Sequence, residues 1–458
     1  MILTQYYLGC LSHGSYLIAD EGTGKAVVVD PRRDISEYLA DAKEQGLDIV
    51  GVINTHVHAD FVAGHLELAA ATGAWIGYGP TAAERAEFEV RSLGRGDRIE
   101  LGDEVTLEIL ETPGHTWESI SVLVLEHGTA HAVLTGDSLF IGGVGRPDLV
   151  VSDGSTPQPL AEAMYGTLHD VLLTLPGTTR VMPAHGAGSS CGRGLSDELE
   201  SNIGAQRETN PFAAQMSVEE FVDMVTTGQP SAPAYFQVDA ALNLRNRELL
   251  DPDEPVVPFT PTEVRAAIEG GAVVVDTRSP EEFAVEHLTG SVNVGLDGRF
   301  AETAGTVLDH EAEILVLTEP GRQGEAALRL GRIGFDSVVG YVQEPATALA
   351  ALSDLVTAAQ RIAVPEIGDL ADGTVLLDVR NDGEREDGQL IPEAVHIPLA
   401  ELADRHGELP SDRPVLVHCA SGWRSSVAAS LLRSHGHADV TDLVGGYAAW
   451  AERAPAGV

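Results

Sequence analysis

The chain has 458 residues. A single hydrophobic core stops growing at ~250–300 residues, so two or three domains are expected. The net charge of −42, with Lys25 and Lys43 as the only lysines, excludes nucleic acids and anionic membranes as partners. No apolar run approaches the ~18 residues of a membrane span, and no basic segment precedes an apolar one near the start. We therefore expect a cytoplasmic protein whose acidity indicates adaptation to salt.

Strand-like apolar runs alternate with helical stretches such as residues 35–46 over about the first 240 residues. Candidate ligand residues follow where these runs end, which is how α/β folds commonly build sites. The segment DPDEPVVPFTP, residues 251–261, is acidic and rich in proline. Because proline disfavours helices and central strands, this segment is expected to be a linker.

An internal repeat follows the linker. VVVDTRSPEEF around Asp276 recurs as VLLDVRNDGER around Asp378, and EILVLTEPG recurs as PVLVHCASG, which aligns Thr318 with Cys419. Each copy has buried-strand patterns followed by helices. The pattern predicts two small parallel sheets with helices on both faces.

The stretch THVHADFVAGH carries three potential metal ligands at alternate positions, His56, His58 and Asp60, and then Phe61. Three more candidates follow in TPGHT, TGDSLF and MPAHG, namely His115, Asp137 and His185. Histidine pairs also occur at surfaces without a metal, but six such residues in strand-end loops favour a metal site.

This ordered set resembles the metallo-β-lactamase superfamily. The resemblance implies that residues 1–250 form an αββα sandwich with the ligand loops at one edge. In binuclear hydrolases of that superfamily a histidine occupies the position of Phe61, which cannot bind metal. One ion is then best served by His56, His115 and Asp137, the ligand set of non-haem Fe(II) oxygenases. A hydrolytic zinc is the alternative, since it needs only one open position for water.

The same stretch resembles the persulfide dioxygenase branch of the superfamily, in its fusions with rhodanese domains. The resemblance implies one Fe(II) per chain and oxidation of a thiol persulfide by O₂ to sulfite and the free thiol. His58, Asp60 and His185 would then orient ligands and water by hydrogen bonds, or else serve as alternative metal ligands. The resemblance also favours a homo-oligomer, dimer or tetramer.

Three nearby residues keep two interpretations each. Arg146 in GGVGRPDL either clamps a substrate carboxylate or forms a surface salt bridge. Cys191 in HGAGSSCG either carries sulfur at the mouth of the metal site or is a buried structural thiol. For Cys10, core packing is favoured over a role in the chemistry. With only three cysteines, no disulfide framework is expected.

CASGWRS, from Cys419, lies between a buried-strand pattern and a helical one. A thiol at a helix N-terminus is favoured as thiolate by main-chain N–H groups. The stretch resembles the rhodanese active loop, which implies that Cys419 forms a persulfide and Arg424 binds the anionic donor or acceptor. Ser421, Gly422 and Trp423 would complete the substrate loop. Asp378 and Arg380 are expected to stabilise the domain.

The resemblances divide the chain into residues 1–250, a linker at 251–261, a rhodanese-like domain at 262–355 and an active rhodanese domain at 362–458. Thr318 cannot carry a persulfide, so the first copy is expected to be inactive and kept for scaffolding, docking or domain placement. Sulfite from the metal site would accept sulfur at Cys419 and leave as thiosulfate. Two rival hypotheses are a glyoxalase-II-like zinc thioesterase and a C-terminal half that serves only for docking.

Overall fold

The computed structural model describes residues 1–149, 156–369, 371–388 and 390–453. The chain divides into two units. The first contains residues 1–229, 235–251 and 332–334, and the second contains residues 230–234, 252–331 and 335–458. Among the described residues, no helix is long and apolar enough to cross a membrane.

The first unit is built on two six-stranded sheets. In order across the first sheet the strands are β1 (Ile2–Leu8), β2 (His13–Ala19), β3 (Lys25–Val29), β4 (Asp48–Ile53), β5 (Trp75–Tyr78) and β6 (Arg91–Ser92). Strands β1 to β3 pair antiparallel, and β3 to β6 pair parallel. Parallel strands end at the same edge, so the loops after β3 and β4 meet there.

The second sheet has the strands β7 (Arg98–Glu100), β8 (Val105–Glu111), β9 (Ile120–Glu126), β10 (Thr129–Gly136), β11 (Arg180–Pro183) and β12 (Ser201–Asn202). Only β10 and β11 pair parallel. The helices are α1 (Ser36–Gln45), α2 (His65–Thr72), α3 (Pro80–Ala83), α4 (Gln158–Gly166), α5 (Ile203–Thr209), α6 (Val218–Thr226) and α7 (Tyr235–Leu242). A π-helical turn (Thr167–Val171) and 3-10 turns (Leu172–Thr174, Pro211–Ala213) complete this unit.

The two sheets pack face to face through one apolar core. Every second residue of β8 points into it, as the alternation of pleated strands requires. The outer face of the first sheet is covered by α1 through Tyr38 and Ala42, and that of the second sheet by α4 and α6. The predicted αββα sandwich is therefore confirmed. The predicted helix at residues 35–46 is α1, which ends at Gly46 in the left-handed conformation (φ 67°).

The second unit contains the two repeat copies, each on a five-stranded parallel sheet. The first copy comprises β13 (Pro258–Phe259), α8 (Pro261–Glu269), β14 (Val273–Asp276), α9 (Pro280–Val285), β15 (His287–Leu288), β16 (Val292–Asn293), α10 (Phe300–Val307), β17 (Ile314–Leu317), α11 (Gln323–Gly331), β18 (Val338–Val342), α12 (Pro345–Ala351) and β19 (Val356–Thr357). Its sheet order is β13-β18-β17-β14-β16, and β15 pairs separately with β19.

The second copy comprises β20 (Gln360–Ile362), β21 (Val375–Asp378), β22 (Val395–His396), α13 (Leu399–Arg405), β23 (Val415–His418), α14 (Trp423–Ser434), β24 (Val440–Leu443) and α15 (Gly446–Arg453), with 3-10 turns at Val364–Asp369, Asp382–Gly388 and His406–Glu408. Its sheet order is β20-β24-β23-β21-β22. In both copies the strand before the loop of interest, β17 or β23, is central in its sheet and fully buried. The predicted parallel sheets are confirmed.

The segment expected to be a linker is structured at its end. Pro258–Phe259 joins the first copy's sheet as an edge strand, and Pro261 begins α8. Both positions suit proline, because an edge strand can forgo one N–H bond and the first helical turn has no N–H to pair. The prediction of a linker from proline content therefore missed an edge strand and the start of a helix.

Candidate active sites

Three loops of the first unit bring His56, His115 and Asp137 together. These residues follow β4, β8 and β10 and are buried. Nε2 of His56 lies 3.8 Å and Nε2 of His115 lies 3.5 Å from Oδ2 of Asp137. One potential ligand atom from each residue lies within 4.8 Å of the other two. The arrangement is a compact set of two imidazoles and one carboxylate.

The potential ligand atoms that face one another in this set are not occupied by hydrogen bonds to other described residues. Nε2 of His56 and Oδ2 of Asp137 have no hydrogen-bond partner among the described residues. Nδ1 of His115 donates to the main-chain oxygen of Arg146 at 2.8 Å, which leaves Nε2 as the lone-pair nitrogen. Burial lowers the pKa of His56 well below its ordinary value, so this imidazole is neutral. Buried polar atoms without partners are costly, and a cation bound here would satisfy both of them together with Nε2 of His115.

The orientation of His56 depends on two residues that the sequence did not single out, Asp30 and Thr55. Nδ1 of His56 lies 3.0 Å from Oγ1 of Thr55, which donates to Oδ2 of Asp30 at 2.9 Å. The other oxygen of Asp30 accepts from the Thr55 main-chain N–H at 2.7 Å and lies 2.9 Å from Nε2 of His58. Asp30 itself adopts a left-handed conformation, φ 51°. It therefore anchors the loop that carries His56 and His58.

His185 and Asp60 form a second group beside the first. Nδ1 of His185 donates to Oδ1 of Asp137 at 2.8 Å, and its Nε2 lies 2.8 Å from Oδ2 of Asp60. Burial alone would lower the pKa of His185, but the two carboxylates raise it well above its ordinary value. The side chains of Asp60, His185 and Cys191 also lie close enough to share an ion. In this conformation both ring nitrogens of His185 are engaged with carboxylates.

Phe61, the residue after Asp60, packs against two histidine rings. The side chain is fully buried, with ring centroids 4.1 Å from His13 and 4.4 Å from His58. Asn243 fixes the surrounding loop, because its amide donates to the main-chain oxygens of His58 and Phe61 at 2.8 Å each. His13 and Asn243 are remote in sequence from the HxHxD motif, and neither was predicted.

Arg146, Cys191 and Cys10, for which the sequence left two roles open, have the following surroundings. Arg146 is buried and pairs with the half-buried Asp148 (Nε–Oδ1 2.8 Å). Cys191 is buried beside Asp60, and burial raises the pKa of its thiol well above its ordinary value. Cys10 is half-buried in the turn after β1.

The second site is the loop after β23. Cys419 is buried at the carboxyl end of that strand, and the main-chain N–H of Gly422 donates to its Sγ at 3.1 Å. Gly422 has φ 99°, and a Cβ there would lie 2.8 Å from the nitrogen of Gly445. The first turn of α15 closes over the loop, because the N–H of Tyr447 donates to the Cys419 oxygen at 2.7 Å. The thiol therefore sits in a tight main-chain turn before α14.

The charged residues around this loop are paired. Arg424 makes a double contact with Glu384, at 2.7 and 2.6 Å, and is half-buried. Asp378 binds Arg380 inside the domain (Nη2–Oδ2 2.7 Å). Ser421 is exposed and Trp423 is half-buried. Glu384 lies 40 positions before Arg424, and no sequence signal marked it.

The first copy has Thr318 at the position of Cys419, at the carboxyl end of β17. Its hydroxyl is buried and lacks a hydrogen-bond partner among the described residues. The corresponding pair Asp276 and Arg278 repeats the contact of Asp378 with Arg380, at 2.6 Å. The two copies thus share a framework and differ in the loop.

Two family models match the chain. The model of the metallo-beta-lactamase superfamily matches residues 8–185, and the rhodanese-like domain model matches residues 260–344 and 366–453. A solved metallo-beta-lactamase from Staphylococcus aureus subsp. aureus COL is similar over 74% of this chain and 98% of its own, with 30% identity and a TM-score of 0.67. That similarity extends beyond the first unit.

Two kinds of enzyme occur among the curated relatives. Hydroxyacylglutathione hydrolase of Polaromonas sp. is 37% identical over 37% of this chain, and the chain spans 61% of its length. The chain spans 66% of the corresponding enzyme of Nitrosococcus oceani. The mitochondrial persulfide dioxygenase ETHE1 of Bos taurus is 30% identical over 50% of this chain and 83% of its own length. The chain therefore belongs to the metallo-β-lactamase superfamily: it is a relative of ETHE1 persulfide dioxygenases and itself carries two rhodanese-like domains after the metallo-β-lactamase domain.

Proposed function

We propose that the first unit is a persulfide dioxygenase with one Fe(II) held by His56, His115 and Asp137. The observation that carries the proposal is the convergence of these three side chains, with Nε2 of His56 and Oδ2 of Asp137 unpartnered within the described chain. Two imidazoles and one carboxylate are the ligands that Fe(II) oxygenases use, with the remaining positions open. Position 61, where a histidine would be a seventh candidate ligand, holds Phe61, which cannot bind metal.

The overall reaction consumes one persulfide, one O₂ and one water, and yields one thiol, sulfite and protons. The S–S bond breaks, the terminal sulfur is oxidised, and both oxygen atoms of O₂ are reduced. A bound Fe(II) would supply electron exchange between the persulfide sulfur and dioxygen. Thr55 and Asp30 hold the His56 ring, while His185 holds Asp137 by its Oδ1. Burial of all these groups keeps bulk water from the centre.

The second unit moves sulfur through Cys419 in this proposal. The Cys419 thiolate takes the terminal sulfur of a persulfide and releases the thiol. Sulfite then attacks the Cys419 persulfide, which regenerates the thiolate and gives thiosulfate. The Gly422 N–H and the first turn of α14 stabilise the negative sulfur. Linking the two units in one chain raises the effective concentration of sulfite near Cys419, provided that the linker lets the two sites meet.

Separate variants test the metal site and the Cys419 site. His115→Ala removes one nitrogen ligand, and we expect O₂ uptake with glutathione persulfide to be abolished. His131→Ala on β10 is the matched control, because that imidazole is only half-buried and lies outside the metal site. Full O₂ uptake by His115→Ala would contradict the proposed centre.

Cys419→Ser tests the sulfur-transfer step. We expect it to release sulfite at an undiminished rate while thiosulfate formation is lost, since the hydroxyl cannot carry a persulfide. Thr318→Ser, at the same position of the first copy, should leave both products unchanged. Unaltered thiosulfate output from Cys419→Ser would exclude the two-site scheme.

A zinc thioester hydrolase is the second candidate, favoured by the 37% identity to hydroxyacylglutathione hydrolase. A second ion could then use Asp60, His185 and Cys191. Hydrolysis of a hydroxyacylglutathione thioester without O₂ uptake would select this function. We expect no such hydrolysis above the rate given by the His115→Ala variant.

A further inference from the structure

Glu384 binds the one arginine of the CASGWRS loop from outside that loop. Its Oε2 lies 2.7 Å from Nη1 of Arg424, and its Oε1 lies 2.6 Å from Nη2. Both side chains are partly buried, with 34% of Glu384 and 25% of Arg424 exposed. A partly buried ion pair with two contacts is screened less than a pair at an open surface. The carboxylate therefore offsets the positive charge of the guanidinium beside Cys419.

Further contacts keep Glu384 in this place. Its Oε2 also accepts from the main-chain N–H of Asn381 at 2.9 Å, and its main-chain oxygen accepts from Nη1 of Arg380 at 3.1 Å. Burial alone would raise the pKa of Glu384, but the hydrogen bonds and charge of Arg424 lower it below its ordinary value. Glu384 is therefore ionised at neutral pH, and the ion pair is part of the folded domain.

Arg424 is the cation of the loop that interacts with the sulfur. Burial alone would lower its pKa, but Glu384 and, more weakly, the charge of Cys419 raise it. The two arginines nearby, Arg380 and Arg385, share the carboxylate of Asp378 at 2.7 and 3.2 Å. The charge that an anionic ligand at Cys419 would use is thus the charge that Glu384 offsets.

The first copy has no such ion pair, because the residues that correspond to Glu384 and Arg424 are Glu282 and Gln323. Glu282 accepts from the hydroxyl of Ser279 at 2.9 Å, in the capping box of α9. Glu384 keeps the equivalent local contact through the Asn381 N–H. The copy that carries a thiol therefore adds the contact with an arginine to this capping role.

We propose that Glu384 is a specificity-determining residue of the Cys419 site, which lowers the affinity of the loop for doubly charged sulfur oxyanions of the thiosulfate class. A dianion that approaches Arg424 also meets the Glu384 carboxylate, so attraction and repulsion largely cancel. The resemblance to rhodaneses implied instead that Arg424 is free to bind an anionic donor or acceptor.

The consequence concerns the product of the proposed sulfur transfer, on which this inference rests. Sulfite attacks the outer sulfur of the Cys419 persulfide and forms a new S–S bond. The old S–S bond breaks with its electron pair on Cys419, which regenerates the thiolate and gives thiosulfate. Because Glu384 weakens its binding, thiosulfate leaves readily and is a weak product inhibitor.

Calorimetric titration of sodium thiosulfate into the full-length protein, at an ionic strength held constant with potassium chloride, tests the affinity. Cys419→Ser serves as the parent, so that no sulfur transfer takes place during the titration. We expect the additional change Glu384→Gln to tighten thiosulfate binding at least about fivefold, because the Arg424 charge is then uncompensated. Glu384→Ala should give the same gain should the Gln variant misfold. Glu408→Gln is the matched control, since it removes a carboxylate that binds Arg405 in the same domain, and should leave the affinity unchanged.

Turnover with thiosulfate as donor and cyanide as acceptor distinguishes charge from loosened structure. On the unmodified Cys419 chain, Glu384→Gln should lower KM for thiosulfate at least about fivefold and change kcat by less than about twofold, whereas a disturbed loop would lower kcat. In the titration, adding Arg424→Gln should remove the gain, because no charge is left to attract the dianion.

No detectable thiosulfate binding with Glu384→Gln, an affinity equal to that of the parent, or a gain that persists without Arg424 would each overturn the proposal. A gain of the same size in Glu408→Gln would do so too. Absence of sulfur transfer by both the unmodified chain and Glu384→Gln would instead refute the transfer proposed for Cys419, and the titration would still decide the role of Glu384.

Discussion

At the scale of single residues, Phe61 and Thr55 are the side chains that we expect to determine how many ions the metal centre holds and how they are held. Phe61 is buried against His13 and His58, next to Asp60, and offers no lone pair. Thr55 connects Nδ1 of His56 to Asp30, and so directs Nε2 toward Asp137. We therefore expect Phe61 to limit the number of ions and Thr55 to orient a ligand.

Phe61→His should raise the metal content from one toward two ions per chain. The new imidazole would stand beside Asp60, whose neighbours His185 and Cys191 already form a potential ligand group. The measurement is metal per chain after dialysis against excess zinc. Phe61→Leu, which adds no ligand, is the control and should stay at one ion. An unchanged ratio in Phe61→His would show that Phe61 does not limit occupancy.

Thr55→Val should weaken metal binding about 10–100-fold, the usual effect of removing a group that orients a ligand. The substitution keeps the shape of the side chain but breaks the connection from His56 to Asp30. Affinity is measured by competition with a chelator of known strength. Thr106→Val on β8, a half-buried threonine outside the site, is the control. Equal affinities for the two variants would refute the role of Thr55.

At the scale of elements, helix α14 is held by both rhodanese copies. The main-chain N–H of Asn293, at the end of β16, donates to Oγ of Ser430 at 2.9 Å. The hydroxyl of Ser426 donates to the side-chain oxygen of Asn293 at 3.1 Å. All three residues are buried. The copy without a thiol therefore helps to hold the helix that starts at the Cys419 loop.

Asn293→Ala should lower the free energy of unfolding by about 1–3 kcal/mol, because it leaves the Ser426 hydroxyl buried without its acceptor. The side-chain amide would also stop donating to the main-chain oxygens of Asp276 and Arg278. Urea unfolding monitored by fluorescence gives the change. Asn381→Ala, at an exposed asparagine, is the control. A loss for Asn293→Ala no larger than for Asn381→Ala would contradict this account of α14.

The sequence predicted what is local to a motif and missed what long-range folding adds. The HxHxD stretch, His115 and Asp137 mark strand ends, and the repeat predicted two parallel sheets. Asp30 and Asn243 act on the same loop from positions 28 and 185 residues away from His58. Asn293 contacts Ser430 across 137 positions. Such contacts depend on how sheets and helices pack, which spacing along the chain does not specify.

At the scale of the whole molecule, the net charge of −42 dominates the surface. Mutual repulsion of exposed carboxylates disfavours the folded state, and salt screens it, since the Debye length falls from ~10 Å at 0.1 M to ~3 Å at 1 M. We therefore expect the unfolding temperature to rise between 0.1 and 1 M potassium chloride. A fall over that range would contradict adaptation to salt.

The central claim concerns the metal, and its most direct test is the metal content of the full-length protein purified anaerobically. The account predicts about one iron per chain with little zinc, and O₂ uptake when glutathione persulfide is added. Two zinc ions per chain, with no O₂ uptake, would contradict it.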